Sequence, residues 1–365
     1  MLRSLFSLLI LLSGWVLSVP INAQWQTVTL AEGLNHPWGL AELPDGSLLI
    51  TERSGRLLHL SPEGERKYVS GLPEIASGGQ GGLLDIVLHP DFSENRLVYF
   101  SFSQPGPGGA GTAVARGKFH QHRLSELNII FEQIPKTHGR AHFGSRLRFD
   151  NEHYLFITTG DRYHSRGQAQ ILDNHLGKVI RLHDDGRVPA DNPFVATPGA
   201  QPEIWSLGHR NVQGASIHPE TGQLWIHEHG PQGGDEVNRI QKAGNYGWPV
   251  VTFGEEYGGG SIGEGTRKDG MMDPLWVWVP SIAPSGMLFY TGDAFPQWQG
   301  NLFIGALAGR KLIRLELNKH QVTGEHHLLT ELNARIRALL QAADGGIYIL
   351  TDENNGRLLK LLPDR

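Results

Sequence analysis

The sequence predicts an all-β fold, a six-bladed β-propeller with long inter-strand loops, on three observations. Short apolar alternations bounded by Gly, Pro, Asn and Asp recur along the whole chain, as half-buried strands do. Six of them sit in a similar frame of preceding strand, turn and following strand, spaced unevenly by roughly 45 to 75 residues, the mark of a repeated unit carrying insertions. No sustained amphipathic helix interrupts them; only Gln168–Leu176 reads as a helical turn. A four-stranded sheet with two apolar faces cannot cover both by itself, whereas in a ring of such sheets each covers the next. A β-sandwich with decorated loops is the plainer alternative.

In chain order, residues 1–23 read as an export signal. Arg3 gives a basic start, Leu5–Leu17 an apolar stretch, and Pro20-Ile-Asn-Ala23 a break before a small residue, with cleavage expected after Ala23. The apolar run falls short of the roughly 20 residues a bilayer span needs, so no stable membrane anchor is expected, and in a bacterium the destination is the periplasm. Residues 24–365 then read as a single propeller domain. Trp25–Leu30 is placed as the outermost strand of the last blade, which closes the ring. The repeated strands follow: Ser47–Thr51, Leu97–Phe102, Tyr154–Thr158, Gln223–His227, Asn301–Gly305 and Gly346–Thr351. Turns such as Leu43-Pro-Asp-Gly46 precede them, and strands such as Gly177–Leu182 and Arg310–Leu315 follow.

Composition narrows the function. With 39% hydrophobic residues the 365-residue chain can build a sizeable core. Lys plus Arg number 32 against 37 Asp plus Glu, a formal charge of -5 with no long basic run, which argues against nucleic acid as a partner. A Cys count of 0 removes disulfides, thiolate zinc sites, iron–sulfur clusters and Cys nucleophiles, so any metal is held by oxygen or imidazole. Three motifs fail on inspection. Gly106-Pro-Gly-Gly-Ala-Gly111 matches a dinucleotide fingerprint but lacks the helix that would hold a pyrophosphate, and reads as a flexible surface loop. His227-Glu-His229 is cut off by Gly230-Pro231 before it makes a metal pair. Asp352-Glu-Asn-Asn-Gly356 puts Gly where a calcium loop needs a ligand, and reads as a hairpin turn.

Four polar clusters fall in connections between strands, where a propeller gathers its functional loops. In Gly78–Asp85 the glycines let backbone approach a ligand closely, and Gln80 both donates and accepts. Ala141–Arg146 carries His142, and the next hairpin carries Thr159-Gly-Asp161; an imidazole oriented by a carboxylate is the usual general base near neutral pH. Leu207–Gly214 holds Arg210 and Asn211, and His227–Glu236 leads to Asn245-Tyr-Gly-Trp-Pro249. Late in the chain, Arg335 and Arg337 would face one side of a strand and suit a polycarboxylate. Taken singly, each has an ordinary explanation: a satisfied histidine, a solvated strand face, a glycine loop.

Together and in this order they are specific. From His36-Pro-Trp-Gly39 through Gly81-Gly-Leu-Leu-Asp85, Gly208-His-Arg-Asn211, Glu228-His-Gly-Pro231, Asn245–Pro249 and Leu350-Thr-Asp352, essentially the whole mature chain resembles one group. It is the soluble pyrroloquinoline quinone (PQQ) dependent aldose sugar dehydrogenases of the glucose/sorbosone dehydrogenase family, which are six-bladed propellers. The resemblance implies oxidation of an aldose sugar at C1 to a lactone with PQQ and Ca2+, the electrons passing to an unidentified acceptor. It implies His142 as the base that takes the anomeric hydroxyl proton while hydride passes to C5 of the quinone, Asp161 as its orienting partner, and Arg210 at the quinone oxygen. Gln80, Arg210, Asn211, Arg335 and Arg337 match cofactor-holding positions. The carbonyls of Gly230 and Pro231 match ligands of a calcium that bridges to the cofactor. Glu236 and the Tyr246 carbonyl match part of a second, structural calcium site, with Glu255 and Glu256 nearby in sequence.

One departure stands out: several family members carry Lys where this chain has Ala308, so Arg310 or Lys311 would have to supply that cationic contact to the quinone, or the other arginines suffice. Two other readings stand beside the dehydrogenase. A calcium-dependent propeller lactonase needs several carboxylate or Asn side chains on one ion, where this loop offers carbonyls. A non-catalytic binding propeller is favoured by Ala308 and opposed by the intact base, calcium turn and double arginine.

Overall fold

The computed structural model describes residues 25–364; the expected export signal lies outside the described residues. The strands in chain order are β1 (Trp25–Leu34), β2 to β5 (Pro37–Glu42, Leu48–Glu52, Arg56–Leu60, Arg66–Tyr68) and β6 to β9 (Leu83–Leu88, Leu97–Gly106, Gly109–His120, Arg123–Glu132). Next come β10 to β13 (Leu147–Phe149, Leu155–Thr158, Lys178–Leu182, Ile204–Leu207) and β14 to β17 (Val212–Ile217, Leu224–Glu228, Asp235–Arg239, Trp276–Trp278). The last are β18 to β21 (Pro284–Phe289, Leu302–Ala306, Lys311–Asn318, Gln321–Leu328) and β22 to β24 (Ile336–Gln341, Ile347–Thr351, Gly356–Pro363). They form six four-stranded sheets, each group of four making one blade, and β1 completes the last by pairing outside β24. The molecule is a six-bladed β-propeller.

The six recurring apolar segments of the sequence are the second strands of the blades, β3, β7, β11, β15, β19 and β23. They read as apolar on both sides because each is covered on both sides. On β3, Leu49 packs with Ile86, Phe100 and Phe102 of the next blade, while Leu48 and Ile50 pack with Leu350 and Leu358 of the previous one. Alternate residues thus serve opposite neighbours, as the strand period of two requires. The core is divided accordingly, one large apolar cluster at each of the six blade interfaces.

The first strands, β2, β6, β10, β14, β18 and β22, pack on one another round the ring axis. Gln80, His142, Arg210 and Arg335 each lie a few residues before one of these strands, so chain direction alone delivers them to one end of the ring. Closure is as expected: Trp25 pairs with Pro363 and Thr29 with Leu359, antiparallel. Asp352–Gly356 is the turn between β23 and β24, also as expected.

Two expectations need correction. The helical turn falls earlier, at Arg166–Gln170, because Ile171 is already extended. Gly106–Gly111 is the tip of a long hairpin and not a flexible loop: Gly106 pairs with Gly109 and Gln104 with Gly111. Pro107 and Gly108 make the two-residue turn, Gly108 in the left-handed region at φ 87°, and Ala110 pairs onward with Thr137. Among the described residues no helix is long and apolar enough to cross a membrane.

Candidate active site

His142 lies on the connection entering β10, in the left-handed region at φ 54°. A non-glycine residue there is strained, and its surroundings must hold it. Gln80 Oε1 accepts the His142 amide N–H at 2.8 Å. The buried Arg162 guanidinium donates to the carbonyls of Ala141 and Gly139 and lies 3.5 Å over the Phe143 ring. Gly160 packs so tightly on the His142 carbonyl that any Cβ would collide.

The His142 Nδ1 is 2.7 Å from Asp161 Oδ1. A carboxylate only accepts, so Nδ1 carries the proton and Nε2 keeps its lone pair. Asp161 is fixed in turn by Trp248 Nε1, which donates to Oδ2 at 2.8 Å, and by the Tyr163 amide, which donates to Oδ1 at 2.8 Å. Burial lowers the His142 pKa below the ordinary histidine value; Asp161 pulls it up, and Arg210 adds to the lowering. The imidazole is therefore a neutral base at pH 7.

His142 and Asp161 line a cavity of about 300 Å³ together with Tyr163, Arg166, Arg210, Pro231, Trp248 and Tyr257. That volume is in the range of small-molecule sites. Arg210 forms the wall toward a second, smaller cavity: Nη1 donates to the carbonyls of His229 at 3.1 Å and Gly230 at 2.6 Å, and the guanidinium sits 5.3 Å from the Trp248 ring centroid. The smaller cavity is lined by Glu228, Gly230, Glu236, Tyr246 and Thr252.

Glu228 and Glu236 are direct cross-strand partners on β15 and β16. Glu228 is buried, its oxygens accepting from the Arg210 amide at 2.5 Å and lying 2.9 Å from His209 Nδ1. Glu236 is partly buried, faces this cavity and accepts only from Asn238, at 3.2 Å. Among the described residues no lysine or arginine side chain pairs with either carboxylate. Burial and then the neighbouring Glu228 push the Glu236 carboxyl up to about 8. Two carboxyl groups packed side by side offer the kind of oxygen donors that a hard cation takes.

The remaining expected residues are distributed as follows. Asn211 is buried beneath the His142 loop, its Oδ1 accepting from the Gly144 amide at 3.2 Å. Arg335 and Arg337 do face one side, but they meet a carboxylate of the protein itself: Asp352 Oδ2, at 3.7 Å and 2.8 Å, with Arg53 at 3.8 Å and His36 at 2.9 Å completing the group. Burial works against it, yet these cations hold the Asp352 carboxyl well below the usual range. Neither arginine lines the His142 cavity; Arg337 is linked to the loop that carries His142 through Gln213, which bonds Asn211. Arg310 donates to the Asn333 carbonyl and Lys311 sits against His327, both exposed, so neither replaces a lysine at Ala308. Glu255 pairs through its backbone with Gln232, and Glu256 forms an ion pair with Arg166 at the cavity mouth. His227 is buried against Gly214.

Sequence reasoning gave no role to Trp248, Arg162, Glu228 or Asp352. Glu228 alone carried a usable signal, since a hairpin folded about Gly230–Gly234 sets it beside Glu236.

The model of the family described as Glucose / Sorbosone dehydrogenase matches residues 34–360. The chain is similar to aldose sugar dehydrogenase YliI of Escherichia coli (strain K12), 44% identical over 356 residues that span 96% of this chain and 95% of that one. Among solved structures it is similar to the apo-form of the soluble aldose sugar dehydrogenase from Escherichia coli, with a TM-score of 0.91 at 44% identity, covering 93% of this chain and 100% of that one. The PQQ-bound aldose sugar dehydrogenase from Streptomyces coelicolor superposes with a TM-score of 0.76 at 28% identity over 93% of this chain and 99% of that one. The ordered motifs, the six blades and the His142 cavity thus meet in one conclusion: the chain belongs to the glucose/sorbosone dehydrogenase family.

Proposed function

We propose that this chain is a PQQ- and calcium-dependent aldose dehydrogenase of the periplasm, oxidising its sugar at C1 to the lactone. Family membership makes it an oxidoreductase; the cofactors, the location and the residue roles are the proposal. The observation that carries it is the His142–Asp161 pair on the wall of a small cavity shared with Arg210 and Trp248.

The residues fit the cofactors. Trp248 offers a flat face beside the Arg210 guanidinium. Arg53, Arg335 and Arg337 share the single carboxylate of Asp352, a positive surplus suited to a polyanion. Glu236 beside Glu228, with the Tyr246 carbonyl, suits a structural calcium. The carbonyls of Gly230 and Pro231 suit a second ion, although Arg210 holds the Gly230 oxygen here and would have to yield it. When bound, the quinone supplies the two-electron acceptor for the C1 hydride.

The chain's own groups do the rest. His142 Nε2 takes the proton of the anomeric hydroxyl. Asp161 holds the tautomer and stabilises the imidazolium that forms, work that in general contributes a factor on the order of 10² to 10⁴. Arg210, facing the cavity, stabilises negative charge developing on an acceptor oxygen.

The test adds calcium and PQQ to the purified protein and follows aldose-dependent reduction of an artificial dye. Turnover lost in His142→Ala supports the reading. Lactone hydrolysis without quinone would replace it with the lactonase, and sugar binding with neither reaction would replace it with the binding module.

A further inference from the structure

The ring axis is blocked part-way along by one side chain. Arg146, which enters β10, donates from Nε to the Gln213 carbonyl at 2.6 Å, from Nη1 to Asp85 at 3.1 Å and from Nη2 to the Arg337 carbonyl at 3.1 Å, and stacks 3.9 Å over the Trp38 ring. It ties together elements of five blades, and each of its three guanidinium nitrogens makes a hydrogen bond. On its far side, away from His142, lies a cavity of about 520 Å³, larger than the one at His142. The ends of the first strands line it, so it opens at the opposite face of the ring.

The walls are more apolar than polar, with Leu88, Leu288 and Leu340 partly exposed along them. The inner end is charged: Arg146 and Arg148 both face Asp85, two guanidiniums on one carboxylate. The Asp85 oxygens are fully engaged, Oδ2 taking the Leu147 amide at 2.9 Å and Arg148 Nη1 at 3.2 Å. Arg148 Nη1 also reaches the Leu147 carbonyl at 2.5 Å, while its Nε and Nη2 make no hydrogen bond to the described residues. That edge of a guanidinium is the one that takes a carboxylate with two parallel bonds. Glu42, the other charged residue on the lining, is held by the Tyr348 hydroxyl at 3.1 Å and the Ala343 amide at 2.9 Å.

A cavity that is more apolar than polar along its walls, with two guanidiniums sharing one carboxylate at its inner end, suits an amphiphile with one anionic head. We propose that this cavity is a second binding site, separate from the catalytic one, for a medium-chain aliphatic monocarboxylate. The head sits on the open edge of Arg148, and the chain runs outward past Leu288 and Leu340. A longer acid projects from the mouth, so the site is selective for the head and tolerant of tail length.

The test is calorimetric titration of the whole protein with sodium octanoate, with 1-octanol as the neutral probe of equal length. Saturable one-to-one binding of octanoate is expected, weakened by added salt. The octanol affinity should be lower by about tenfold or more, the worth of a charge-assisted hydrogen-bonded pair. Arg148→Gln should weaken octanoate to a similar degree and leave octanol unchanged, and Leu340→Trp, at a position already partly exposed, should block both by filling the cavity. His142→Ala should bind octanoate as the parent does. Absence of saturable binding, equal affinity for octanol, or salt-independent binding overturns the proposal on the parent protein alone, whatever the variants do to folding. Loss of binding in His142→Ala overturns it by placing the acid in the other cavity.

Discussion

The pair His142 and Asp161 does two opposed things to one proton. Burial lowers the imidazole pKa and Arg210 lowers it further, while the Asp161 hydrogen bond raises it. The net is a base whose acid limb in kcat/KM lies below the ordinary histidine value of about 6.5. Asp161→Asn removes the raising influence and leaves the lowering ones unopposed. The limb should therefore move to lower pH, and the plateau should fall by a factor on the order of 10² to 10⁴, because the amide no longer enforces the tautomer. A pH–rate profile reads both effects; a limb that stays in place assigns the titration to another group. The pair was legible in the sequence because both residue types stand on consecutive connections of a repeat. Arg162 and Trp248 were not, since a clamp on a backbone carbonyl and an indole bonded to a carboxylate 87 positions away exist only once the chain is folded.

At the scale of elements, two hairpin features carry predictions. Glu228 and Glu236 face each other across β15 and β16, beside a small cavity and, among the described residues, without a lysine or arginine partner. Calcium should therefore raise the melting temperature of the protein without any quinone present, with a stabilisation of about 2.7 kcal/mol at a hundredfold excess over Kd. Glu236→Gln should abolish that increment; a melting curve indifferent to calcium in the parent would remove this site. The second feature is the ion pair of Arg166 with Glu256 at 2.5 Å, which joins the Arg166–Gln170 turn to the loop beyond β16 across the cavity mouth. Both side chains are nearly half exposed, and such pairs contribute roughly 0 to 1 kcal/mol to stability. Arg166→Ala should accordingly leave the denaturant midpoint almost unchanged while altering KM for the sugar more than kcat. An unchanged KM would mean that the strap does not bound the sugar's position. The strands were legible because their period of two survives insertion. The strap was not, because it depends on how two loops lean together, and Gly106–Gly111 misled because glycine-rich text serves a tight hairpin turn as well as a loose loop.

The whole ring adds a constraint that no blade carries. His142, Arg210, Pro231 and Arg337 stand on or between different blades, so their mutual distances are set by closure, and closure rests on β1 joining β24. That seam is mostly exposed at its start, with Val28 39% exposed, and anchored at its end by Leu34, 1% exposed in the cluster shared with Leu40, Ile50 and Leu358. In an open array of repeats, weakening one contact lets part of the chain unfold alone. In a closed ring each blade has two neighbours, and a weakened seam lowers the stability of all of them together. Leu34→Ala should therefore cost about 2 to 5 kcal/mol, the usual loss for a buried leucine, and Val28→Ala much less. Unfolding of Leu34→Ala should remain a single transition, its midpoint in denaturant lowered and its slope unchanged, with dye-reducing activity lost along the same curve. Two separated transitions, or activity lost ahead of the secondary structure, would show that the seam opens by itself and that the site depends on local loops more than on the ring.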